Sequence, residues 1–129
     1  MTNAMLDALL PLLIPRIREI RRDIHAHPEL AFGEWRTAER VAAHLASLGL
    51  EVRRGLAGTG VVASLKAGTG SRAIGLRADM DALPLEELNT FGHRSMHRGQ
   101  MHACGHDGHV AMLLGAAEAL VALRHEGRF

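Results

Sequence analysis

Between Arg16 and His25, isoleucines at 17, 20 and 24 recur at steps of three and four with Arg, Glu and Asp between them. That spacing predicts an amphipathic helix. Pro28 closes it, because the residue before a proline is pushed out of helical geometry. A second helix is predicted from about Glu34 to Leu48, with Ala38, Val41, Ala42, Leu45 and Leu48 as its apolar stripe and Gly49 as its stop. Two strands are expected next: Gly60 to Lys66, and Ala73 to Met80, linked across Gly68-Thr69-Gly70. From Pro84 to Met101 no period survives, so a long loop is expected, and loops of this length are usually functional or mobile. A last helix runs from about Gly108 to His125, its apolar face formed by Val110, Leu113, Leu114, Ala117 and Val121. The order helix, helix, strand, strand, loop, helix suggests α/β layering in one domain.

The 129 residues suffice for a single core. Fifteen basic residues against fourteen acidic leave a formal charge of +1, which gives no field to draw in nucleic acid or an anionic membrane. With three Phe, one Trp and no Tyr, base-stacking platforms are scarce too. The apolar opening from Met5 to Ile14 is broken by Asp7 and Pro11 and followed by Arg16, Arg18, Arg21 and Arg22, the reverse of a secretory signal's order. No stretch approaches the ~18 apolar residues of a membrane span. A lone cysteine, Cys104, excludes an internal disulfide and fits a reducing compartment, so a cytoplasmic setting is expected.

Histidine is the outlying residue. The chain has nine, five of them between His93 and His109. In Met101-His102-Ala103-Cys104-Gly105-His106-Asp107-Gly108-His109, Cys104 and His106 stand two apart; on extended backbone both would reach one ion, and thiolate with imidazole suits a borderline-soft divalent metal. The same residues also suit a buried thiol and a surface imidazole. His102 and His109 read as hydrogen-bonding or surface groups rather than ligands. A second constellation, Arg77-Ala78-Asp79-Met80-Asp81, ends the predicted strand, where α/β sheets place their sites. Asp79 and Asp81 repel unless a metal or Arg77 compensates; a solvated turn is the competing reading. His25-Ala26-His27-Pro28-Glu29 has a metal-like composition and reads more simply as a helix end whose histidines complement the dipole. Glu86 and Glu87 read as solvated loop charges, and neither Gly-Thr-Gly triplet has the spacing of a phosphate loop.

In order along the chain, His25-x-His27-Pro28-Glu29-Leu30, Gly58-Thr59-Gly60-Val61-Val62, Leu76 to Pro84 and Met101 to His109 resemble the aminoacylase and hippurate-hydrolase branch of the metal-dependent amidohydrolases and peptidases, which includes the plant auxin-conjugate hydrolases. The resemblance runs from Ile17 to about Leu120. It implies the N-terminal portion of a zinc-peptidase-like α/β catalytic domain, incomplete, with residues 1–129 as its first segment and both the inserted dimerisation domain and the rest of the catalytic domain absent. It implies hydrolysis of the amide bond of small N-acyl amino acids by the parent enzyme, with a divalent cofactor, Mn²⁺ or Zn²⁺, two per complete active site, and a homodimer at full length. Cys104 and His106 fall on metal-ligand positions and Asp81 on that of an acidic residue orienting a ligand. Asp79 falls where related peptidases carry a metal-binding His. The general-base Glu, its neighbouring ligand Glu and two further His ligands would lie beyond Phe129. The chain alone is therefore expected to be inactive, the alternative being a metal-binding or self-associating remnant without catalysis.

Overall fold

In the computed structural model, which describes residues 3–124, the order of elements is α1 (Asn3–Ala26), α2 (Trp35–Ser47), β1 (Glu51–Leu56), β2 (Gly60–Ser64) and α3 (His106–Leu123). The three helices carry the expected stripes inward. Ile20 and Ile24 of α1, Val41 and Leu45 of α2, and Val110 and Leu114 of α3 form one buried cluster. Gly115 sets the α1–α3 approach, since a Cβ there would stand 2.2 Å from the Ile17 side chain. At this three-helix junction the buried Glu118 of α3 takes an ion pair from Arg16 of α1 at 2.6 Å, and His44 Nε2 of α2 lies 2.9 Å from its other oxygen.

Helix α1 starts well before the predicted Arg16 and runs through Pro11 and Pro15. Its first half has a mostly exposed apolar surface, Leu12 being 70% exposed, with Leu13 the one fully buried anchor there. The predicted end of α3 at His125 lies outside the described residues.

The strands differ more from expectation. β2 sits where one was predicted, but its antiparallel partner is the preceding segment β1, in register Glu51↔Ser64 to Leu56↔Gly60. β1 is polar and nearly all exposed, so no period-2 signal announced it. It is a strand because a tight reversal, with Ala57 and Gly58 at positive φ, folds it onto β2. The hairpin rests on the helical core through Val52, Val61 and Ala63. Residues 73–80, by contrast, form no ladder. Their composition is strand-like, and Ala78 and Met80 do pack against the core, yet a strand needs a neighbour and none of the described residues supplies it. Ile74 is 88% exposed as a result.

The segment linking α1 to α2 is held by side chains the sequence did not advertise. The N-cap residue Glu34 makes no capping bond and instead accepts from Thr59 Oγ1 at 2.6 Å. The orphan donors of α2 are taken by Glu29: Oε1 accepts from Arg36 N–H at 2.9 Å, and Oε2 from Thr37 N–H and hydroxyl, both at 2.8 Å. Asp23 adds ion pairs to Arg36 and Arg40 at 2.8 and 2.9 Å.

Glu29→Ala should therefore lower stability by about 1–2 kcal/mol, the usual cost of a lost cap, read as a lower thermal midpoint; the same substitution at solvated Glu39 should cost far less. Burial pushes the Asp23 carboxyl up, but the Arg36 hydrogen bond with the charges of Arg40, Arg36 and His27 outweighs it, leaving the group below its ordinary 3.8. A depressed folded value means stability fully present above the ordinary 3.8 and lost as pH falls through the lower folded value. Asp23→Asn should accordingly cost about 1 kcal/mol at neutral pH in urea unfolding, and its difference from wild type should shrink as the pH is taken progressively below the ordinary carboxylate range.

Candidate metal centre

Asp81 is placed not by a sheet but by the end of α1. Ala82 N–H donates to Glu29 C=O at 2.8 Å, and Leu30 and Ala82 form an isolated parallel bridge. Just beyond, Leu83 and Met101 exchange both backbone bonds, at 2.9 and 3.0 Å, closing the neck of the loop between them. The chain then turns through Gly105, whose φ of 88° lies in the left-handed region that favours glycine, and enters α3 at His106. Cys104 and His106 thus flank a left-handed turn rather than lying on extended backbone, as spacing alone had suggested.

His106 Nδ1 lies 3.0 Å from both the backbone oxygen and Oδ1 of Asp81. Both partners can only accept, so Nδ1 carries the hydrogen and the Nε2 lone pair is left for another partner. Carboxylates commonly fix metal-binding imidazoles in this way. Cys104 is exposed and outside any disulfide. Asp79 goes elsewhere, paired with Arg77 at 2.7 Å with both side chains largely exposed. The structure therefore joins Asp81 to His106 and separates Asp79 from them.

The remaining histidines divide sharply. His109 is exposed, its ring 5.8 Å from that of His106. His102 is 4% exposed, and neither ring nitrogen has a hydrogen-bond partner. Burial pushes its pKa down; Asp107 opposes the fall, and His25 and His106 reinforce it. His27 does what a helix-end histidine should, donating from Nδ1 to Asp23 C=O at 2.8 Å. His25 does not: its Nδ1 meets Asp107 Oδ2 at 2.9 Å and its Nε2 meets Glu87 Oε1 at 3.1 Å. Asp107 is fully buried and also receives Arg21 Nε at 3.2 Å.

Glu87 overturns the solvated-loop expectation, its side chain being only 3% exposed. It also accepts from the N–H of Ser95 and from Asn89 Nδ2. Burial raises both carboxyls, but hydrogen bonds win. For Glu87 the N–H of Ser95, Asn89 and His25 hold the pKa below 4.5; for Asp107, His25 and the N–H of Gly108 hold it below 3.8. The acidic residue in the first turn of α3 was visible in the sequence, but its pairing with His25 across 82 positions was not.

As a donor set, an exposed thiol and an imidazole with its Nδ1 hydrogen fixed suit a borderline-soft divalent metal. The set is partial: among the described residues, no group of three or more His, Cys, Asp and Glu is close enough to hold an ion.

The sequence profile of peptidase family M20/M25/M40 matches residues 75–128. The hippurate hydrolase of Campylobacter jejuni is 47% identical over 122 residues, covering 89% of this chain and 32% of that protein. An N-acyl-L-amino acid amidohydrolase of Geobacillus stearothermophilus is 51% identical over 109 residues, covering 84% of this chain and 29% of the relative. The crystal structure of the Bacillus subtilis YXEP protein, a dinuclear metal binding peptidase from the M20 family, superposes with a TM-score of 0.85 at 38% identity, over 90% of this chain and 33% of that one. The chain thus spans about a third of the length of these relatives. Motifs, fold and sequence agree in what they match: residues 75–128 fit the profile of peptidase family M20/M25/M40, and the chain as a whole is similar to the opening third of proteins of that kind.

Proposed function

We propose that this chain contributes part of the metal centre of a metal-dependent amidohydrolase that cleaves N-acyl amino acids, with Cys104 and His106 as ligands for Mn²⁺ or Zn²⁺ and Asp81 orienting His106. The observation that carries the reading is the pair of 3.0 Å contacts from His106 Nδ1 to Asp81, which leave Nε2 for a metal, with an exposed thiol two residues earlier in the chain. The substrate class follows the hippurate hydrolase and the N-acyl-L-amino acid amidohydrolase that the chain resembles.

When bound, a divalent metal supplies Lewis acidity towards the amide carbonyl. This chain's residues do the holding. The Cys104 thiolate brings negative charge, Asp81 fixes the His106 tautomer, and the left-handed turn at Gly105 sets how the two ligands leave the backbone. Structural sites use about four ligands, so two hold an ion weakly, and the rest of the shell comes from outside residues 3–124.

Zinc titrated calorimetrically into the chain should bind in a process that Cys104→Ser and His106→Ala each weaken about tenfold or more. Binding indifferent to both substitutions would refute the ligand assignment. The chain alone should hydrolyse hippurate no faster than buffer with added Mn²⁺ or Zn²⁺; metal-dependent turnover would show that the residues here suffice.

A further inference from the structure

His25 lies on the last turn of α1, 7% exposed, and its two ring nitrogens are bonded to carboxylates from two different parts of the chain. The ring therefore bridges the two side chains, each ring nitrogen standing at hydrogen-bond distance from one of them. One carboxylate, Asp107, directly follows His106 at the start of α3. The other, Glu87, lies shortly after Asp81, just past the loop neck at Leu83 and Met101. The two residues of the His106–Asp81 contact therefore hang from the two arms that His25 clamps.

Nearby backbone bonds run to the same place: Met96 N–H donates to Ala26 C=O at 2.9 Å, and Ala82 N–H to Glu29 C=O at 2.8 Å. Stability is a poor reason for this arrangement. Two carboxylates and an imidazole are withdrawn from water, Asp107 Oδ1 is buried without a partner, and a buried ion pair is commonly no more stable than apolar residues of similar volume. What such a clamp supplies is a fixed distance.

We infer that His25 is a positioning residue that holds Asp107 and Glu87 together and so fixes the gap between α3 and the Asp81 segment, keeping the Nδ1 hydrogen of His106 on Asp81. Its consequence for a metal rests on the ligand assignment proposed above; its consequence for the His106 ring does not. Loss of the clamp lets the two arms separate, and His106 then relaxes towards the tautomer mixture of a free imidazole.

The test reads the ring directly, in the metal-free, ¹⁵N-labelled full chain near pH ~8, where an ordinary imidazole is neutral. Long-range ¹H–¹⁵N correlation should find hydrogen on Nδ1 of His106 in the wild type and lose that preference in Asp81→Ala, the direct control. His25→Ala and the milder Glu87→Gln should lose it as well, with helical circular dichroism unchanged; if His25→Ala does not fold, Glu87→Gln decides. A folded clamp variant that keeps the Nδ1–H tautomer overturns the inference.

A second readout uses cobalt(II) with its thiolate charge-transfer band. Affinity should fall about tenfold or more in a folded clamp variant, as for loss of the supports around a metal ligand. Unchanged affinity in a folded clamp variant, where the wild-type band depends on Cys104, also overturns the inference. Cobalt binding indifferent to Cys104→Ser overturns instead the ligand assignment, and the tautomer, read without metal, still decides the role of His25.

Discussion

Two carboxylates brought out of water on either side of one imidazole form the constraint around which this structure is arranged. Asp107 and Glu87 stay charged in the interior because several groups meet them: His25 lies against both, Ser95 N–H and Asn89 donate to Glu87, and Arg21 and the Gly108 N–H support Asp107. That requirement ties the end of α1 to the start of α3 and to the base of the loop between Leu83 and Met101. The helices around it bury their apolar stripes in one cluster, with the Arg16–Glu118 pair and the Asp23 and Glu29 contacts at its margins.

The end of α1 carries more of the structure than its length suggests. Within a few residues, Asp23 pairs with α2, Glu29 caps that helix, and the carbonyls of Ala26 and Glu29 receive N–H groups from the irregular segment. The motif with a metal-like look is thus a joint between elements. His27 closes its own helix, Pro28 is buried, and His25 faces carboxylates rather than a free coordination position.

Apolar surface is left open where none of the described residues covers it. Ile74 and Leu76, 88% and 59% exposed, lie on a segment with strand composition and no ladder, and the first half of α1 is apolar and exposed. The relatives that this chain resembles are about three times as long, and the donor set among the described residues is itself partial.

The sequence by itself determined the helices, because a three-to-four-residue apolar period is a local property and each stripe buries whatever it meets. It also carried the motif around Asp81, Cys104 and His106, recognisable by residue type and order, and with it the resemblance to metal-dependent amidohydrolases. Strand pairing was decided only in three dimensions: polar Glu51–Leu56 became a strand because a turn laid it against β2, while apolar 73–80 did not because it met no partner. The roles of His25, Glu29, Glu87 and Asp107 were decided there too. A carboxylate or imidazole looks the same in sequence whether water or a buried counter-charge solvates it, and that choice depends on neighbours up to 82 positions away.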